Sequence, residues 1–256
     1  MSTKVKQNAA AKKTLVIFGG SKGGVTKSTS CSSMADCLLE AKQDFVLLDT
    51  DPANADAHLI CGDVVIQEKR YLVVPVRDTL DPLIVATDKT PAKIVLANCG
   101  AGDAPLLVRH AARLQRAAQA QDWRVVVLLF FIPEFASIQP LWPVAQALLP
   151  WAEVWLMKAP TYSPEGWALW PCVKVPVSSG NPSAGQPIQT ALVGAGALER
   201  EWPLLPADVI LASHDATWRG LRAHLANTSL TGRFDLNDYR KAVAGLAHEM
   251  HLIQKK

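Results

Sequence analysis

Two lysines five residues apart, Lys22 and Lys27, stand around a glycine pair in GGSKGGVTKSTS (19–30), and two hydroxyls follow at Ser28 and Thr29. These residue types suit a phosphate. Gly23 and Gly24 let backbone N–H groups approach anionic oxygens, Lys27 can reach terminal phosphates, Ser28 can offer its hydroxyl to Mg²⁺, and Thr29 can add one to an α-phosphate. The general phosphate-loop pattern G-x-x-x-x-G-K-[ST] fails at both glycines, where Ser21 and Thr26 stand. A β-branched residue at 26 predicts backbone strain if its φ is positive. Read alone, the stretch also fits a glycine-rich turn at a strand end with unrelated lysines.

Carboxylates follow at a suggestive place. FVLLDTDP (45–52) ends a strand with Asp49 and Asp51, which puts acids at the sheet edge where open α/β folds bind ligands. KIVLANCGAGDAP (93–105) ends a second strand in Asn98, which can accept a hydrogen bond from a Mg²⁺-bound water but brings no charge. Asp103 either offsets that lack or caps the helix behind it.

The elements that must carry these residues are legible as apolar runs. TLVIF (14–18), FVLLD (45–49), YLVVPV (71–76), KIVLAN (93–98), RVVVLLFFI (124–132) and EVWLM (153–157) are continuous rather than alternating, as in strands covered on both faces. Helical patterns at 27–42 and 104–120 come between them, which predicts an α/β fold with a mostly parallel twisted sheet and helices on both faces. Residues 158–206, rich in Pro and Gly, read as irregular connection, and 234–252 reads as one amphipathic helix.

The chain has 256 residues with 49% hydrophobic and 19% charged, enough for one large domain over 14–256 behind a basic tail at 1–13 expected to be disordered. No run is apolar for the ~20 residues of a bilayer span. The five cysteines form no C-x-x-C pair, which argues against a metal cage or a disulfide framework and predicts a cytoplasmic setting. A net charge of +3 does not by itself demand nucleic acid.

K-G-G-x-x-K-[ST], as it stands at Lys22–Ser28, resembles the deviant Walker A motif of the ParA/MinD family of P-loop ATPases, and the resemblance extends over residues 14 to 135. It implies ATP and Mg²⁺ as cofactors, with nucleotide held by Lys22, Gly23, Gly24, Val25, Thr26, Lys27, Ser28 and Thr29. It further implies an ATP-bridged homodimer in which Lys22 crosses to the partner's nucleotide. Lys27 would hold the β- and γ-phosphates, Asp51 in D-x-D-P would orient the attacking water, and Ser28, Asp51 and Asn98 would face the metal. Where the family reads D-T-P-A-G this chain has Asn98-Cys99-Gly100-Ala101-Gly102, so weaker Mg²⁺ binding or slow hydrolysis is expected. Met157-Lys158 offers no adenine-reading asparagine.

The same resemblance implies plasmid or DNA partition in the nucleoid, non-specific DNA binding through Arg219, Arg222, Arg240 and Lys241, and a ParB-like adaptor, without a membrane. Other functions on the same fold are a MinD-like membrane-cycling ATPase, a conjugation-accessory ATPase and a metabolic ATP-dependent ligase. For the membrane reading, Asp235, Asp238 and Glu249 in the last helix are unfavourable.

Overall fold

The computed structural model describes residues 13–20, 22–23, 26–51, 70–100, 103–160, 164–177, 181–205 and 230–253. Its strands are β1 (Lys13–Gly19), β2 (Phe45–Asp49), β3 (Tyr71–Val73), β4 (Ile94–Asn98), β5 (Trp123–Phe131), β6 (Glu153–Lys158) and β7 (Leu198–Glu201). They form one sheet in the order β3-β2-β4-β1-β5-β6-β7, with every neighbouring pair parallel. This is the α/β architecture that the continuous apolar runs predict. The strand leading into the glycine loop is its centre.

Helices cover both faces. They are α1 (Lys27–Glu40), α2 (Asp81–Lys89), α3 (Ala104–Gln121), the single turn α4 (Phe135–Ile138), α5 (Leu141–Leu148), α6 (Ile188–Gly194) and α7 (Leu230–Glu249), with a 3₁₀ helix at Pro164–Cys172. Alternate strand residues feed two cores. Leu15, Ile17, Val127 and Leu129 pack with α3, α5 and α6 on one face. Val16, Phe18, Leu128 and Phe130 pack with α1 and α7 on the other. Because both sides of β1 are buried, its sequence can be apolar at every position from Leu15 to Phe18.

Three boundaries differ from the sequence expectation. β3 stops at Val73, short of the predicted 76: the Val74 N–H still donates to the Asp49 carbonyl (2.8 Å), but the next contact, from the Val76 N–H to the Thr50 carbonyl, has lengthened to 3.5 Å. Lys13, assigned to a disordered tail, opens β1 and donates from Nζ to the carbonyls of Thr87 (2.5 Å) and Thr90 (2.7 Å). The segment read as irregular, 158–206, contains the 3₁₀ helix, α6 and the edge strand β7. β7 reads LERE and is largely exposed, so it lacks the apolar signal by which its neighbours are found. Among the described residues no helix is long and apolar enough to cross a membrane.

Candidate functional site

Parallel strands place the residues that follow them along one edge of the sheet. β1 ends into the glycine loop, β2 into Thr50 and Asp51, and β4 into Cys99 and Gly100. Cross-strand register aligns Phe18, Asn98 and Asp49 in one row, so the three segments leave the sheet at the same level. The chemistry-bearing residues are neighbours for that reason.

The loop is held down at Gly20. A Cβ there would lie 2.6 Å from the carbonyl oxygen of Phe130 on β5, a contact only glycine avoids. At Gly23 the opposite holds: among the described residues a Cβ would meet nothing within 4 Å. Gly24, Val25 and Ser21 lie outside the described residues.

Thr26 ends the loop with φ 67° and ψ 11°, the left-handed conformation that the missing glycine would have taken without strain. Its Oγ1 is buried without a hydrogen-bond partner, and α1 starts without a side-chain cap. The helix therefore presents an uncapped N-terminus at the loop, a favourable place for an anion.

Lys27 is 7% exposed, and its Nζ donates to the carbonyl oxygen of Lys22, 2.8 Å away, so the side chain curls over its own loop. Burial lowers its pKa, while Cys99, Asp103 and Asp51 pull the other way. Lys22 turns outward instead and pairs with Glu134, just ahead of α4, with both side chains partly exposed. Ser28 lies 3.3 Å (Oγ) from the amide nitrogen of Asn98, which also donates to Asp49 Oδ1 at 3.1 Å. Asp51 sits against Gly100, where a Cβ would approach its Oδ2 to 3.2 Å.

Asp103 occupies the N-cap position of α3 but does not cap the helix, one of the two tasks the sequence suggested. Its Oδ2 accepts from the Thr50 hydroxyl (2.6 Å) and the Gly100 N–H (2.8 Å), binding the turn after β2 to the turn after β4. Burial raises its pKa, and these two hydrogen bonds oppose the rise. Burial likewise pushes the Cys99 thiol up, so it stays protonated and inert.

Whether these residues fit Mg²⁺ can be judged from their partners. Among the described residues no three His, Cys, Asp or Glu side chains converge as a metal cage. Mg²⁺ rarely uses one, since it keeps several waters and takes one or two protein groups plus phosphate oxygens. Asn98 Oδ1 is buried without a partner, an acceptor suited to a proton of metal-bound water, while the amide nitrogen of the same side chain faces Ser28 Oγ. The residues fit the ion.

The structure thus brings together Lys27, Ser28, Asp51 and Asn98, with Gly23 and Thr26 in the adjoining loop. Of the cations assigned to DNA, Arg240 and Lys241 are among the described residues. Arg240 is bound within the chain, its guanidinium 3.1 Å from Asp36 and 2.6 Å from Glu40 on α1, and its side chain is only 15% exposed. That pairing already meets its charge within the chain. Lys241 is exposed and pairs with Asp238 at 2.9 Å. Arg219 and Arg222 lie outside the described residues. Asp49, Tyr71 and Glu134 were not singled out as site residues; a carboxylate two residues before Asp51 was the only signal available for any of them.

No protein-family profile matches the sequence. A curated relative, an ATPase ASNA1 homolog of Babesia bovis, is 48% identical over 50 residues, which are 19% of this chain and 14% of that protein. The MinC:MinD cell division protein complex of Aquifex aeolicus includes a chain similar in structure, at 13% identity over 95% of this chain and 97% of its own, with a TM-score of 0.49. A ParA family ATPase from Chlorobium tepidum is similar at 12% identity over 89% of this chain and 98% of its own, with a TM-score of 0.45. The solved chains similar to this one thus include one from a MinC:MinD complex and a ParA family ATPase, and a curated sequence relative carries the name of an ATPase.

Proposed function

We propose that the chain is an ATPase of the ParA/MinD type, in which ATP and Mg²⁺ pair two copies and hydrolysis releases them. The observation that supports this most directly is the meeting of buried Lys27 with Ser28, Asp51 and Asn98 at one sheet edge, beside Gly23 and an uncapped helix N-terminus. Lys27 would leave the Lys22 carbonyl for the β- and γ-phosphates. Lys22 would exchange Glu134 for the partner's nucleotide, where its charge offsets charge developing in transfer. Asp51 would orient the attacking water. Bound Mg²⁺ would neutralise phosphate charge, with Ser28, Asp51 and Asn98 on its side of the site and slow turnover expected from the amide at 98.

Within that reading the finer role is partition of a plasmid or other DNA cargo, with non-specific DNA binding in the nucleoid and hydrolysis stimulated by a ParB-like adaptor. With Arg240 bound to α1, the DNA contact would fall to Arg219, Arg222 and Lys241. A membrane role is less well supported, because the apolar face of α7 (Leu236, Tyr239, Val243, Leu246) is already buried in the core rather than available to lipid.

The test is molecular mass and affinity for random duplex DNA with ATP and Mg²⁺, compared with ADP, at two salt concentrations. A dimer formed with ATP that binds DNA in a salt-sensitive way supports the whole reading. A dimer indifferent to DNA keeps the switch and removes partition. Mass and affinity that ignore nucleotide refute both.

A further inference from the structure

We infer that the outer face of α3, which carries Arg109, Arg113 and Arg116, is a contact surface for the phosphate backbone of duplex DNA. It would serve the DNA-binding part of the proposed function, on which the inference rests, from a helix that reading leaves unused.

The helix reads APLLVRHAARLQRAAQAQ, with three arginines, one histidine and no acid in its 18 residues. Leu107, Ala111, Leu114 and Ala118 turn one side of it into the core. On the opposite side Arg109, Arg113 and Arg116 fall within about 60° of one another at 3.6 residues per turn. All three are exposed, and the residues that share their face include the small Ala112 and Ala120. The guanidinium groups therefore stand proud of the surface.

Ordinary uses of surface charge do not account for this row. A solvated face usually intersperses both signs, yet the carboxylate that answers here is Asp81 of α2, which takes Arg113 at 2.7 Å. Arg109 and Arg116 join no ion pair among the described residues, whereas Arg124, Arg200 and Arg240 each meet a carboxylate. Nor do the arginines serve the helix itself. Cations favour a last turn, which here has none, and like charges three and four positions apart oppose helix formation.

The pattern also says what would answer them. Arg109 and Arg116 lie about 10 Å apart along the axis at 1.5 Å per residue, a row of forked donors suited to repeated phosphates rather than to one small anion. Another exposed arginine without an ion pair, Arg77, stands alongside, since His110 Nε2 on α3 donates to the carbonyl oxygen of its neighbour Asp78 (3.0 Å). A lipid surface would require large apolar side chains to bury, and on α3 only Val108 is both large and exposed.

The test measures binding of the full chain to a random-sequence duplex over a series of salt concentrations, with ATP and Mg²⁺ and without nucleotide. Arg109→Gln/Arg116→Gln should weaken binding and lower the slope of log affinity against log salt by about 1.8, the change expected from two lost phosphate contacts, and should do so alike for unrelated sequences. Lys93→Gln/Lys174→Gln removes the same charge from other exposed positions and should leave the slope unchanged. A slope retained in the arginine variant, or lowered equally in the lysine variant, overturns the inference. So does an arginine variant that loses affinity for phosphatidylserine vesicles while keeping its DNA slope. A native chain that binds the duplex in neither condition overturns the DNA reading and the inference together, whereas a loss confined to Arg219→Gln/Arg222→Gln leaves the DNA reading standing and overturns the inference alone.

Discussion

The two ends of α1 live in different surroundings. At its head Thr26 is held at φ 67°, and Thr26 Oγ1, Ser30 Oγ and the nearby Asn98 Oδ1 are buried without partners. Farther along the same helix every polar group that meets α7 is answered. The Ser33 hydroxyl donates to the Thr29 carbonyl (2.8 Å) and accepts from Tyr239 OH (2.7 Å), Tyr239 accepts from Trp202 Nε1 (3.3 Å), and Arg240 spans Asp36 and Glu40. Folding alone accounts for the second region. The strain and unpartnered acceptors of the first are what a site completed from outside the chain looks like.

This contrast can be broken at several points. The largest effect is expected at the satisfied end: Arg240→Ala removes the cation that spans Asp36 and Glu40 on α1 and should cost about 3 kcal/mol of unfolding free energy in a denaturant titration. A loss under about 0.5 kcal/mol would make the pair a surface ornament and reopen Arg240 as a DNA contact.

Tyr239→Phe strands Ser33 and Trp202 and should cost about 1–2 kcal/mol. It also has a pH signature, because burial pushes the Tyr239 hydroxyl up to about 12 from 10. The folded state holds this proton more tightly than the unfolded one, so its contribution is complete below pH 10 and disappears as pH rises from 10 through 12. Thermal melts across that window should fall more steeply for the native chain than for Tyr239→Phe.

At the strained end the sign reverses. Thr26→Gly relieves a left-handed β-branched residue and should leave the protein no less stable, gaining about 1 kcal/mol by calorimetry once the greater freedom of unfolded glycine is offset. Lys22→Ala should change stability least, by under about 0.5 kcal/mol, because its pair with Glu134 is exposed to water. In the proposed function the same substitution should abolish ATP-dependent pairing, so a stable but monomeric variant would separate the two tasks.

The five inner strands and the helices at 27–42 and 104–120 were legible because burial on two faces demands uninterrupted apolar runs. β7 was not, because an edge strand of two glutamates and an arginine carries its hydrogen bonds without an apolar pattern. Lys27, Ser28 and Thr26 were legible through local spacing, including the positive φ that the missing glycine implied. Asp49 with Tyr71, Asp103 with Thr50 and Arg240 with Asp36 join residues 22, 53 and 204 positions apart. Only the register of the sheet and the seating of α7 bring them together, and no local pattern encodes either.

The arginine that ties α7 to α1 also has a mechanical meaning. α1 begins at the loop and runs under α7, with Arg240, Tyr239 and Ser33 acting as rivets along the seam. Two beams riveted in this way bend less readily than they turn together. A tilt of α1 of even a few degrees, started at its strained first turn, would therefore sweep the far end of α7 through an arc set by the helix's length, and the chain's last helix would travel with its first.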